Sequence, residues 1–433
     1  MTLYPDLVQA IEQLDYRVTV GDVAAKAGLD VNQTQRGLLT LASDAGGHLQ
    51  VAESGEIVYL FPRDFRAILR NKHLRLRLQE WAGTAWKVLF YLIRVSFGIA
   101  LLVSITLIFL SILIIISAAT RSDSGGFNGG GGGGDGGGFS GWFGPNFVYI
   151  FSPGYYDRPS RAYYSSSGEK PSLGFFQAVF SFLFGDGNPN RDLNERRWRA
   201  IGTVIRNNRG AIAAEQIAPY LDSLGRGHAL EYEEYMLPVL SRFDGRPQVS
   251  PSGDIVYHFP ELQAMAVQHG YQAAPAYLKE FLWRFSQASP AQIAVAIGLG
   301  LLNLGGALFL GHLLAGGAAA GVGLVAFVKS IYWALLTYGS AFLTIPLIRF
   351  FWLKGRNRVI ARRNEERQDR AVQLNQADDR LRDKLAYAQT FAAETVIDAK
   401  DLAYSTERDL AEQELEQTDQ IDAEWQRRLE QGQ

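Results

Sequence analysis

Charged residues vanish from two long stretches of the chain, Val95 to Thr120 over 26 residues and Phe285 to Val328 over 44. About 20 apolar residues cross the hydrocarbon core of a bilayer. The first stretch therefore predicts a transmembrane helix over 94–119. The second, within 275–352, predicts two more, at about 291–314 and 324–348, joined by the small-residue run Gly316 to Gly323. Gly298, Gly300, Gly305 and Gly306 suit close helix packing in a bilayer. A third apolar run, Leu173 to Phe184, is too short to cross as a helix and predicts an interfacial or re-entrant segment over 173–185.

Outside these stretches the periodicity changes. Leu7, Ile11 and Leu14 are spaced for one face of a helix. A second helix opens at Thr19 and closes at Gly28, and Asp30 is placed to cap a third over Val31 to Ala42. Glu53-Ser54-Gly55 then separates two β-branched and aromatic runs, the signature of a tight hairpin. Three short helices and a hairpin predict a winged-helix domain over 1–66.

The hairpin recurs. With an offset of 198, Gln50, Val51, Ser54, Gly55, Ile57, Val58, Tyr59, Phe61 and Pro62 match Gln248, Val249, Ser252, Gly253, Ile255, Val256, Tyr257, Phe259 and Pro260. Helical faces precede the second copy at Trp198 to Ile205, Ala213 to Leu221 and Tyr232 to Phe243, the last with Pro238 inside it. A second winged-helix domain is expected over 193–262. Internal repetition governs the architecture, which reads as soluble domain, membrane, soluble domain, membrane.

The connecting segments complete the organisation. A basic amphipathic helix is expected over 67–93, with Trp81, Trp86 and Arg94 as membrane-interface anchors, and Trp283, Arg284 and Lys354 play that part around the later spans. The segment 120–172 is a glycine- and aromatic-rich linker, with eleven glycines among the fourteen residues from Gly125 to Gly138. From Arg356 to Gln431 there is neither glycine nor proline and the charges alternate in sign. This predicts a charged long helix or coiled coil over 355–431, with Thr395 and Asp409 as faults in its seam. The fold class expected is a mainly α membrane protein with two winged-helix (α+β) soluble domains, about three transmembrane helices and a long C-terminal helix.

Composition narrows the chemistry. The 433 residues carry a net charge of −2 and no cysteine, which removes disulfides, cysteine nucleophiles and thiolate-bound metal clusters. The six histidines are scattered, so no metal site and no cofactor are expected, and without a nucleophile–base pattern no catalytic residue is assigned. The N-terminus lacks a leader-like composition and is expected to begin directly with a folded domain.

Residues 1–66 hold five basic residues against nine acidic ones, and the recognition-helix position carries a single cation, Arg36. The second copy brings Glu231, Glu233 and Glu234 to the entry of its third helix. Phosphate neutralisation dominates DNA affinity, so nucleic acid is not the expected partner. Arg36, Glu231, Glu233 and Glu234 become candidate protein-interaction residues instead. Basic flanks before the first span place the N-terminal domain on the cytoplasmic side. Basic flanks also precede the second span and follow the third, which leaves the return of the chain after the first span open.

Several motifs together resemble an uncharacterised family of cyanobacterial and plant chloroplast membrane proteins. They are Arg94-Val-Ser-Phe-Gly98, Val179-Phe-Ser-Phe-Leu-Phe-Gly-Asp-Gly-Asn-Pro-Asn190, Leu237-Pro-Val-Leu-Ser-Arg-Phe-Asp-Gly245, Gly253 to Pro260 and Phe342-Leu-Thr-Ile-Pro-Leu-Ile-Arg349. The resemblance covers about residues 40 to 355 and implies a thylakoid or plasma membrane of a cyanobacterium. Some relatives carry an iron–sulfur biosynthesis label, for which this chain has no thiolate. The function expected is a membrane-embedded scaffold or assembly factor, homo-oligomeric through its membrane helices and C-terminal helix. Its partners would be the lipid bilayer and proteins. A channel or transporter built by oligomerised helices and a membrane-tethered transcription regulator are the alternatives.

Overall fold

The computed structural model describes residues 3–72, 74–122, 174–268, 270–316, 323–407, 409, 411, 413, 418, 425–427 and 429. The linker expected over 120–172 lies, apart from its first three residues, outside them. The chain divides into two compact units. One comprises Met1–Gln79, Pro189–Phe281 and Val359–Gln433, and the other Glu80–Asn188 and Leu282–Arg358.

In chain order the elements of the first repeat are α1 (Leu3–Gln13), β1 (Arg17–Thr19), α2 (Val20–Ala27), α3 (Val31–Ala45), β2 (His48–Ala52) and β3 (Ile57–Leu60). Then come α4 (Phe65–Lys72), α5 (Leu74–Ser122) and α6 (Phe175–Phe184). The second repeat comprises α7 (Leu193–Asn207), β4 (Ala211–Ala213), α8 (Ala214–Ile217), α9 (His228–Glu231), α10 (Leu237–Phe243), β5 (Arg246–Val249) and β6 (Ile255–His258), with β7 (Ala264–Met265) after it. Last are α11 (Pro290–Ala315), α12 (Gly323–Asn375), α13 (Asp379–Gln389), β8 (Thr395–Val396) and β9 (Leu402–Ser405).

The duplication extends into the strand register. In the first repeat Gln50 faces Val58 and Val51 faces Ile57, and in the second Gln248 faces Val256 and Val249 faces Ile255. The third strand follows suit, with Val18 facing Tyr59 and Ile212 facing Tyr257. Gly55 and Gly253 turn the two hairpins at φ 92° and 84°, where a side chain would be strained. Tyr59, Phe61, Tyr257 and Phe259 all point into one apolar core shared by both repeats.

Helix starts follow their caps. The Thr19 hydroxyl accepts the Asp22 N–H at 3.0 Å and the Asp22 carboxylate returns to Thr19 N at 2.9 Å, a reciprocal box that fixes the start of α2. Asp30 caps α3 through Gln33 N at 2.9 Å. Pro238 occupies the second position of α10, which begins at Leu237, so its missing N–H costs nothing. The single helix expected over Tyr232 to Phe243 is instead one short turn, Glu234–Met236, and α10, separated from α9 by Glu233 at φ 52°.

Among the described residues three helices are long and apolar enough to cross a membrane, with spans in Thr84–Ala119, Pro290–Ala315 and Gly323–Asn375. The basic segment and first span, expected as 67–93 and 94–119, are largely one helix of 49 residues, α5. In the second unit Leu101, Ile105, Ala296, Leu299 and Phe342 from these helices pack against Val179, Phe182 and Leu183 of α6. The short segment is thus a ten-residue helix buried among the long ones. There the Ser104 hydroxyl donates to buried Asn303 Oδ1 at 2.8 Å, tying two apolar helices by a polar contact.

The C-terminal expectation is corrected. α12 runs 53 residues, well past 348, and stops at Asn375. Asp378 then caps α13 through Leu381 N at 2.8 Å, and the chain beyond Gln389 turns to β8 and β9. Lack of glycine and proline permits a helix without imposing one. Here the strand-forming run Thr395-Val-Ile397 and Leu402-Ala-Tyr-Ser405 is drawn onto sheet edges supplied by the repeats.

Candidate interaction surface

The two repeats meet along α2. Nearly every residue of this helix is buried, and it lies so close to its neighbours that side chains are excluded at the contact. A Cβ on Gly21 would sit 1.8 Å from the Glu261 carbonyl oxygen, and one on Gly202 of α7 would sit 2.7 Å from that of Ala25. Asp22, 1% exposed, is the ionic centre of the seam. It pairs with Arg206 of α7 at 2.6 Å and accepts the Ala266 N–H at 3.0 Å beyond its own capping bond. A buried carboxylate persists only with its charge matched and its lone pairs filled, and this one joins two repeats through three separate segments.

The C-terminal segment crosses both repeats. α13 packs against β4 and β6 of the second. Its Lys384 is buried and reaches Glu215 at 2.8 Å and Glu233 at 2.6 Å. Burial alone would lower the Lys384 pKa, but the two carboxylates outweigh it and raise it above the ordinary value. Glu233 also accepts from Tyr257 at 2.8 Å, and its left-handed backbone turns the side chain inward. Arg380 binds Asp254 through two nitrogens, at 3.0 and 2.7 Å. These hydrogen bonds, against the opposing effect of burial, hold the Asp254 carboxyl below its usual range. A groove of about 610 Å³ runs beside this contact, lined in part by Glu215, Glu231, Glu233, Asp254 and Arg380.

Further along, Thr395 and Val396 pair in parallel with Ala264 and Met265. Arg17 donates to the carbonyls of Ala266 and Ile397, the latter at 2.9 Å. β9 then joins β2 as a fourth strand, giving the order β1-β3-β2-β9. Upstream, α12 is fixed to the same unit by Arg367, which is 1% exposed and bound to Glu280 at 2.9 Å, to Asp222 and to the Leu278 carbonyl.

The sequence-predicted residues separate into two groups. Arg36 is exposed on α3 beside Asn32, Gln33 and Gln35, a polar face with one cation. Glu231 and Glu234 are exposed on the second repeat, whereas Glu233 is committed to Tyr257 and Lys384. Trp81 and Trp86 are exposed on α5, Lys354 is exposed on α12, and Arg284 is exposed ahead of α11. Arg94 is tied down: it bonds Asp186 at 3.0 Å and lies over the Phe180 ring. Trp283 stacks under Arg356 at 4.7 Å and receives Asn357 on its backbone.

Asp186, within the Val179 to Asn190 motif, also accepts from Ser181 at 2.6 Å and Gln287 N at 2.9 Å. No local sequence pattern marks Lys384, Glu215 or Arg206. A Thr-x-x-Asp spacing at Thr19 was the one local signal for Asp22, and nothing local marks its distant partner. Among the described residues no group of three histidine or carboxylate side chains is placed to share a metal ion.

The fold and this surface define a class: a head of two fused helix–hairpin repeats strapped by the C-terminal segment, in a chain that also carries three helices long enough to cross a membrane. The chain belongs to the family of an uncharacterised chloroplastic protein of Arabidopsis thaliana, with which it shares 38% identity over 435 residues, 98% of this chain and 81% of the relative. No family model matches the chain, and no solved structure matches it.

Proposed function

We propose that this protein is a membrane-embedded scaffold or assembly factor whose paired winged-helix domains form one protein-binding head. The observation that carries the reading is β9 on β2, a hairpin edge engaged in strand pairing with a segment more than 350 residues away in the chain. The amide-rich face of α3 supports it, since a nucleic-acid reader needs a basic footprint and Arg36 stands there without another cation. A photosynthetic membrane as its location is supported by the chloroplastic relative and the three apolar helices. The basic residues ahead of the first span favour a head on the cytoplasmic or stromal side. Native-size analysis after mild detergent extraction is expected to find an assembly larger than one chain, and a lone monomer would sink the reading.

A further inference from the structure

The two hairpins share one register and differ in what their outer edge offers. In the first, Leu49 N–H donates to the Thr406 hydroxyl and Leu49 O accepts Thr406 N–H, both at 2.9 Å. Glu53 N–H donates to Asp401 O at 2.8 Å. Leu49 and Glu53 thus turn their main-chain groups outward, and β9 satisfies them. At the offset of 198 the second hairpin carries Pro247 and Pro251 in those two places. Proline has no N–H, so two of the three outward donors are deleted and only that of Val249 remains, a recognised way to keep a sheet edge from pairing. β5 accordingly ends its sheet, in the order β4-β6-β5, with Val249 63% exposed.

One edge is blunted by prolines and the other is covered by a paired strand. β9 is a modest occupant. It is four residues long, its register shifts between Val51 and Ala52, and Ala403 and Tyr404 are exposed. Three side chains are read, one of them the Thr406 hydroxyl that accepts from Leu49 N–H. Leu402 packs toward the small cluster of Ala52, Val58, Ala264, Ala266 and Ile397, and Ser405 is buried opposite Gln50. The rest of the contact is main chain, which any extended segment supplies.

We propose that the β2 edge of the first repeat is a strand-addition site for an extended segment of a partner protein, with Leu402–Thr406 as its resident competitor. The proposal rests on the protein-binding reading above and names what is bound. The partner segment carries an apolar residue for the Leu402 position followed by paired Ser or Thr residues. A segment that pairs without the register shift has them one residue closer than in Leu402-Ala-Tyr-Ser-Thr406. Because a tethered strand acts at roughly millimolar effective concentration, the resident segment sets the threshold a partner must exceed.

The test uses the full chain in detergent and a fluorescent peptide copying residues 398–407. Tyr404→Pro disables the resident strand. Adding Leu49→Pro and Glu53→Pro copies the second hairpin's prolines onto the first. Saturable binding is expected to Tyr404→Pro, at least tenfold weaker to wild type and at least tenfold weaker to the triple variant. Equal binding to all three, or none to Tyr404→Pro, overturns the proposal. Hydrogen exchange on Tyr404→Pro keeps the result independent of the triple variant's folding. Peptide should slow exchange at Leu49, Val51 and Glu53 at least tenfold while Ile57–Leu60 stay protected throughout, and unchanged rates overturn it. A wild-type dimer that Tyr404→Pro converts to monomer would assign the edge to a second copy and overturn the partner claim. Peptide binding is read on purified chain, so it stands or falls separately from the native-size result.

Discussion

The first and second repeats were built alike and then set to different uses. Their hairpins, turns and buried aromatic pairs superpose in register, so the inner face kept its residues. At the start of the second helix they part. Asp22 in the first repeat and Gln216 in the second occupy the same capping place, and Gln216 returns only to Ala213 N at 2.9 Å and to Asn208. The charged version was recruited to bind Arg206 across the seam, while the neutral version remained a cap. Duplicated folds diverge where each copy meets something other than itself.

The sharpest way to break this comparison is Asp22→Ala against Gln216→Ala. Removing Asp22 strands a buried Arg206 and frees two N–H groups, so a loss of about 3–5 kcal/mol is expected. Losing the Gln216 cap should cost about 1 kcal/mol. Denaturant unfolding of the detergent-solubilised chain measures both, and equal losses would mean the seam is not ionic in character.

Next in size is the tyrosine pair. Tyr257 donates to Glu233, so Tyr257→Phe should cost about 1–3 kcal/mol by leaving a carboxylate short of a bond. The Tyr59 hydroxyl is buried and has no hydrogen-bond partner among the described residues, so Tyr59→Phe should leave stability unchanged or slightly raised. The same unfolding measurement compares them.

The edge itself gives a subtler contrast. Pro247→Ala with Pro251→Ala restores the outward donors of β5, and concentration-dependent self-association is expected from native-size analysis. Alanine at Pro5 or Pro62, away from that edge, should not produce it.

The smallest effect is acidic. Asp254 is held below its usual pKa by Arg380, so its contribution is complete above the ordinary aspartate value of about 3.9 and is lost as pH falls through the lower folded value. Pepsin cleavage within residues 379–389 should increase over that window, and Asp254→Asn should flatten the dependence. Glu56, at the matching place of the first hairpin, should have no influence when changed to Gln.

Local signals carried much of this. The repeat, the hairpin turns at Gly55 and Gly253, the caps at Thr19 and Asp30 and the apolar spans were all legible, because each depends on residues within a few positions of one another. What escaped was set at a distance. Leu402-Ala-Tyr-Ser405 has no strand identity until β2 offers it an edge, and Lys384 looked like one more charge on a helix until two glutamates closed on it. Thr395, one of the two faults in the heptad seam, falls in β8, where the helix has already ended. Glu233 was read as a surface charge because its left-handed backbone, which turns it inward, has no sequence mark in a glutamate.

The pairing of β2 with β9 also dictates a timetable. His48 and Thr406 are 358 residues apart, so the first repeat leaves the ribosome with its edge open and waits for the tail. At roughly 5–20 residues per second, that interval is about 20–70 s, far longer than a hairpin needs to form. Every newly made chain therefore passes through a period in which the apolar helices are being synthesised while this edge is unoccupied. A strand offered to this edge in that period would meet it without competition from the tail.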